Sequence, residues 1–449
     1  MNYIIMIILL GMLLIMLLPV LRYEIFNPTI TVLLMFLGCM IFGLVRWDDW
    51  EIDKYSINAV ILIMIGIMAF STIGVFVSQF KNTLKVNPIR HQRLDVSNLF
   101  IVIALIWCFG GCLLFLDYIN YVVVGLNKNN NSVSEMIQSY YIIKGQDANR
   151  GIYAILPFLS LTKKIIPVVS AFSEYILIHN VCFHKFQAKD VVYGLIILAC
   201  IIFSLIDSNR GSLLQMLAIG MYLMYFFLNM YYGWNKKVNL LILKKGIKIF
   251  ILFIVLFVAL AVGIGRYKSL SDMDIVNYVT IYISSGVRNF DLFLEDPVSS
   301  EIWGKETFAG FNRFLAHRFG IGEIYGAPLE FRSILGKNIG NIYTAFRRYY
   351  ADFGISGLII FPMLLSAFFT AMYIYNRSKA YKDKLGVSVL VFAYLSRAIF
   401  YMPIDDTFFE FDITLGRLFE ILLLMFLYYV FIKRNLRFKF ESRNICSSK

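Results

Sequence analysis

This sequence predicts an all-α polytopic membrane protein, and three observations lead there. Of its 449 residues, 59% are hydrophobic and only 16% are charged, against roughly 45–50% and about 25% in ordinary soluble chains. Mean hydropathy is +0.71. Apolar runs recur from end to end, and about 20 such residues suffice for a helix to cross a bilayer. That composition excludes a soluble enzyme, a nucleic-acid module and a disordered tail.

Eleven segments read as spans: residues 2–20, 28–45, 57–80, 98–116, 165–181, 191–205, 213–231, 249–264, 355–375, 387–402 and 413–432. The first has no charged leader and no small-residue cleavage site, so it reads as a mature span rather than a signal peptide. In the fourth, Gly110 and Gly111 leave room for a neighbouring helix to approach closely. The net charge of +13 reads as topology, because cytoplasmic loops collect Lys and Arg. Clusters such as Lys81, Lys85, Arg90 and Arg93, then Lys236, Lys237, Lys244, Lys245 and Lys248, then Arg377, Lys379, Lys382 and Lys384 fall on one side with the basic tail. The shorter segments opposite hold little beyond Arg46, Lys54, Lys128, Lys144, Arg150 and Arg210. This places the N-terminus outside and the C-terminus in the cytoplasm. Lys163 and Lys164 break the pattern and suggest a re-entrant or surface-lying entry over residues 151–162.

The six cysteines include no CxxC pair, and the four histidines share no ligand spacing. Neither a bound metal nor another cofactor is expected. Two outer segments are long. Residues 117–150 are rich in Asn, and 266–352 far exceed a simple turn, a length that usually carries function. Apolar residues at helical spacing (Ile275, Val279, Tyr282, Phe290, Leu294) read as a structured cap of helices lying on the membrane surface. The chain is one integral domain, residues 1–449, with the cap at 266–352.

Ionisable groups at membrane depth are expensive and need a partner or a task. Glu174, Arg397, Arg417 and Glu420 are the candidates. Arg417 and Glu420, three apart on one helix, read as a pair. Arg397 has no acid within helical reach on its own span, the nearest being Asp405 and Asp406, so it is the better functional candidate. The tight turn at 206–212 sets Arg210 at a helix start, where free N–H groups and the positive dipole end favour an anion. Arg adds a fork that matches phosphate oxygens; the plainer alternative is an Asp–Arg turn clamp. The cap is neutral overall, yet residues 312–350 set Arg313, Arg318, Arg332, Lys337, Arg347 and Arg348 against only Glu323 and Glu330. His317 is the cap's only histidine.

The sharpest local pattern runs from Asn341 through Tyr343, Thr344, Arg347, Arg348, Tyr349, Tyr350, Asp352, Phe353 and Gly354 to Gly357. Asp352 there is suited either to general-base work on a sugar hydroxyl or to capping the helix that follows. Tyr350 beside it suits sugar stacking or ordinary belt placement.

That stretch resembles the Wzy-type oligosaccharide repeat-unit polymerases that make O-antigen, capsule or exopolysaccharide in bacteria. The turn Asn209-Arg210-Gly211-Ser212, the run Arg288-Asn289-Phe290-Asp291 and the order of spans around one large outer loop add to the likeness. The resemblance implies a membrane-embedded glycosyltransferase of the GT-C type in the bacterial cytoplasmic membrane. It would take a growing glycan from polyprenyl diphosphate and pass it to the next lipid-linked repeat unit, with a chain-length regulator and a flippase as candidate partners. The family's outer-loop arginines imply diphosphate binding at Arg210, Arg288 and Arg347 or Arg348. Departure of a diphosphate needs positive charge more than a nucleophile, and no nucleotide motif is present. The rival readings are a flippase or transporter for the same lipids, and an O-antigen ligase-like transferase in which His317 would serve as base. No nucleic acid is expected as a partner.

Overall fold

The computed structural model describes residues 1–80, 91–125, 132–145, 156–207, 211–234, 274–297, 302–321, 329–380 and 386–433, together with 239, 242 and 255. These form a helical bundle: α1 (Asn2–Val20), α2 (Pro28–Gly43), α3 (Ile57–Ser78), α4 (Asn98–Gly125), α5 (Val133–Gly145), α6 (Pro157–Phe183), α7 (Ala188–Ile206) and α8 (Gly211–Tyr232). There follow α9 (Ile275–Glu295), α10 (Ala309–Phe319), α11 (Ala345–Ala380), α12 (Val387–Leu395), α13 (Arg397–Tyr401) and α14 (Leu415–Leu427). Among the described residues nine helices are long and apolar enough to cross a membrane, and Val387–Tyr401 adds a shorter apolar pair. Nine of the eleven expected spans coincide with these helices, and the expected 387–402 falls on the shorter pair. The other, 249–264, lies outside the described residues apart from Val255.

Local chemistry sets many of the starts. Asn27 accepts from the Thr29 N–H with Pro28 at the first helical position of α2, Ser56 accepts from Ala59 at α3, and Thr414 accepts from Arg417 at α14. Each satisfies one of the orphan donors that every helix start exposes. Inside a bilayer little hydrophobic force drives helices together, so packing relies on close fit and aromatic contact. The Phe36 and Phe346 rings stack at 5.3 Å.

Contacts between connecting segments gather at the two ends of the bundle. One end gathers Asn2 bonded to the Tyr55 carbonyl, Arg46 paired with Asp274, Lys337 with Asp49 and Tyr401 donating to the Gly211 carbonyl. The other gathers Glu24 with Arg377, Arg93 with Asp190 and Asn376 with Ser388. Lys163, the apparent exception to the charge pattern, lies at the first end in an ion pair with Asp207 at 2.7 Å. Residues 157–162 belong to α6, so that helix simply begins earlier than expected; residues 151–155 lie outside the described ones.

The expected cap also differs in detail. α9 is buried along most of its length and packs on α2 and α3, wedged into the protein instead of lying on a surface. A two-stranded antiparallel hairpin, β1 (Arg332–Ile334) and β2 (Lys337–Gly340), interrupts the all-α pattern. α10 sits against the π-helical turn Phe408–Asp412. A Cβ on Gly310 would overlap the Glu410 carbonyl oxygen, so only glycine permits that approach.

Candidate functional site

α11 has 36 residues, about 54 Å at 1.5 Å per residue, well over the roughly 30 Å of a hydrocarbon core. Its first turns therefore extend past the span, and they carry Arg347 and Arg348. Cations at a helix N-terminus sit at the wrong end of the macrodipole. Carboxylates from other segments must hold them there, and three segments supply them.

Arg347 is fully buried. One Nη pairs with Glu306 and the other with Glu330 Oε2 at 2.7 Å. Its guanidinium lies 4.6 Å from the Phe293 ring centroid and 4.8 Å from that of Tyr343, a cation–π sandwich that adds to the pairing. Arg348 meets Asp405 through Nε at 2.7 Å and Nη2 at 3.2 Å, the two-pronged geometry that makes such pairs strong. Its Nη2 also lies 2.8 Å from Glu410 Oε2, and its Nη1 donates to the Glu306 carbonyl at 3.2 Å. Arg313 of α10 stands at the rim, 3.8 Å from Glu410.

The carboxylates outnumber the guanidiniums. Around Arg348 stand Asp405, Asp406 and Glu410, with Asp406 buried and accepting from the Phe408 and Phe409 N–H groups. Burial pushes the Asp406 carboxyl from its ordinary 3.8 up to about 7, against the pull of Arg348. Burial likewise raises Glu410, again with Arg348 opposing. A dry carboxyl beside like charges is neutralised more cheaply than it is ionised, so this cluster retains a proton where free carboxylates would have lost it.

Asp352 lies within α11, not at its cap. Its oxygens accept from the Glu306 N–H at 3.1 Å and the Thr307 N–H at 2.7 Å. It anchors the segment that presents Glu306. Tyr350 is half-buried, edge-on to Phe290 and Phe293. Arg288 is buried elsewhere: its Nε donates to the Trp50 carbonyl at 2.9 Å, and Nη1 pairs with Asp291. Asp291 in turn accepts from the Ser56 N–H. Arg288 thus clamps α9 to the 44–56 connection and shares no contact with Arg347 or Arg348.

Arg397 does find an acid, Asp412, beyond its own helix. Its Nη2 lies 3.5 Å from Asp412 Oδ1, which Arg417 Nε approaches to 2.8 Å, and Nη1 donates to Gln215 at 3.4 Å. Arg417 also pairs with Glu420 at 2.6 Å as its spacing predicts. Arg318 is exposed near the end of α10. The His317 side chain and Arg210 lie outside the described residues, although Gly211, next to Arg210, sits at this same end against Tyr401.

The structure therefore brings together Arg347, Arg348 and Asp352 of the expected set, and sets Arg288 and Arg397 in separate pairings. It also corrects the expected basic face of 312–350. Arg332 pairs with Asp296 and Glu330, Lys337 with Asp49, and Arg313, Arg347 and Arg348 with Glu306, Glu330, Asp405 and Glu410, while Arg318 is exposed. Sequence reading did not single out Glu306, Asp405, Asp406 and Glu410. The signal was the acid-rich run Asp405, Asp406, Glu410, Asp412 between two spans. Among the described residues no three His, Cys, Asp or Glu side chains are arranged to hold a metal ion. Comparison with protein families, curated proteins and solved structures finds no match for the chain.

Proposed function

We propose that this chain is a membrane-embedded glycosyltransferase that joins polyprenyl-diphosphate-linked oligosaccharide units into a surface polysaccharide, as its likeness to Wzy-type polymerases implies. It would work at the outer face of a bacterial cytoplasmic membrane, with residues 266–352 outside. The observation that carries this reading is the Arg348–carboxylate cluster at one end of the bundle. It joins a forked cation to carboxyls poised near neutrality, beside the ends of apolar helices. A lipid-linked donor needs both: a cation to take the charge of the departing diphosphate and a carboxylate to take the proton of the attacking hydroxyl.

One observation favours a second reading, a flippase for the same lipids. The tenth span is interrupted between α12 and α13 at Ser396 and followed by a π-helical turn, and broken helices are common in transporters. Purified protein in liposomes with lipid-linked repeat units separates the two. The polymerase reading requires a ladder of longer glycans, lost in Arg348→Lys at unchanged protein abundance. Translocation of unit-length lipid without elongation sinks it in favour of the flippase.

A further inference from the structure

We infer that the Arg348–Asp405 ion pair is a latch that the donor's diphosphate opens, and that the carboxylate so released is the base that activates the acceptor. This rests on the polymerase reading and adds an order of events to it. The asymmetry of Arg348's partners carries the inference. Asp405 holds the guanidinium by a two-pronged contact yet is 30% exposed, whereas Glu410 on the other side of the same group is 1% exposed. An incoming anion can reach Arg348 only by taking the place of Asp405. Glu410 and the Glu306 carbonyl keep the guanidinium in position while that exchange takes place. Arg347 also has a partly exposed partner, Glu330 at 28%, but its guanidinium is covered by the Phe293 and Tyr343 rings, and Glu330 is held by Arg332 as well.

The exchange has a chemical consequence. While paired, both Asp405 oxygens are engaged by the guanidinium. Diphosphate carries more charge than one carboxylate and fits the same fork. Once displaced, Asp405 stays anchored through its Oδ1 contact with the Asp406 N–H at 2.9 Å. It then takes the proton from the acceptor sugar hydroxyl as that oxygen bonds to the anomeric carbon. The bond from anomeric carbon to diphosphate oxygen breaks, and its electron pair stays on the diphosphate facing Arg348. The products are the glycosidic bond, polyprenyl diphosphate and protonated Asp405. As the diphosphate leaves, Asp405 gives its proton to water and pairs with Arg348 again. The base is thus unmasked only when a donor is present.

The test is a pair of measurements that a merely structural Asp405 would not move in opposite directions. Binding of a short-chain polyprenyl diphosphate to the full chain in nanodiscs is measured beside polymerisation of lipid-linked units. Asp405→Asn and Asp405→Ser remove the competitor for Arg348. Each should bind the diphosphate lipid several-fold to about tenfold tighter and polymerise about 10²–10⁴-fold more slowly. Asp405→Glu, which keeps a carboxylate, should bind like the wild type and recover part of the rate. Equal or weaker binding in the neutral variants, or undiminished polymerisation, overturns the latch while leaving the polymerase reading standing. Loss of both neutral variants from the membrane also overturns it, since the pair would then be a structural clamp. If the wild type neither binds the diphosphate lipid nor elongates glycan, both readings fall together.

Discussion

α11 carries an ionic cluster at each end, and the two are built differently. At its far end Arg377 meets Glu24 at 2.6 Å, and that carboxylate also accepts from the Tyr373 hydroxyl at 2.9 Å and the Trp234 indole at 3.2 Å. One carboxylate is closed in by one guanidinium and neutral donors, and both charges are largely buried. At its near end Arg347 and Arg348 face a surplus of acids, two of which, Glu330 and Asp405, are open to solvent at 28% and 30%. A buried charge pair with no open edge has nothing to exchange with, whereas a crowded one with an exposed member does. The contrast separates an anchor from a working site more sharply than the identity of the residues, since both ends use arginine.

The largest expected effect comes from breaking the closed cluster. Arg377→Met leaves Glu24 buried without its charge partner, a change that typically costs about 3–5 kcal/mol. Membrane abundance and the thermal midpoint in detergent should both fall steeply. An unchanged midpoint would mean that the far end is wetter than its burial implies. Arg347→Met should act in the same direction but less steeply, because Glu306 loses its guanidinium while Glu330 keeps Arg332. Arg348→Lys should instead keep abundance and lose polymerisation, since an ammonium cannot copy the fork. If the two neighbours respond alike, the distinction between enclosed and open arginines is wrong.

The bundle was legible in the sequence because span-length apolar runs and helix-start residues are local signals. Arg417 and Glu420 were legible for the same reason, lying three apart on one helix. The cluster was not, because Arg347 and Arg348 take their acids from residues 306, 330, 405 and 410, and no spacing rule links those segments. α11 begins ten residues before the apolar run does, since its first turns are polar and are held by Glu306, Glu330 and Asp405 rather than by hydropathy. Asp352 was recognised as important, as base or cap, but its backbone partners at 306 and 307 lie on another segment, which no local spacing reveals.

A smaller, pH-dependent effect distinguishes the crowded end. With Asp406 raised from 3.8 to about 7, the folded chain holds a proton there that the unfolded chain has lost between those values. Its contribution is full below about pH 4 and disappears as pH rises through about 7. The thermal midpoint should therefore fall between pH 5 and 8, and Asp406→Asn should flatten that slope. Glu410, also raised, adds in the same direction, so Glu410→Gln should flatten it too. A midpoint that rises over this range would show the acids ionised and the cluster held by charge alone.

The smallest expected effect lies between the two clusters, at Gly354. Its φ of 59° and ψ of −144° interrupt α11, a conformation that is essentially confined to glycine and costs other residues roughly 1–3 kcal/mol. A Cβ there would meet nothing within 4 Å, so the penalty is conformational and not steric crowding by neighbours. The kink sets the direction of the turns that carry Arg347 and Arg348, while Tyr373 and Arg377 lie beyond it. Gly354→Ala should therefore lower the thermal midpoint modestly and disturb the near cluster alone. Polymerisation should drop with little loss of abundance, and the steep penalty of Arg377→Met should persist on the Gly354→Ala background, adding to the first as independent sites do. If the two penalties fail to add, the kink does not isolate the ends, and the whole of α11 responds as one rigid element.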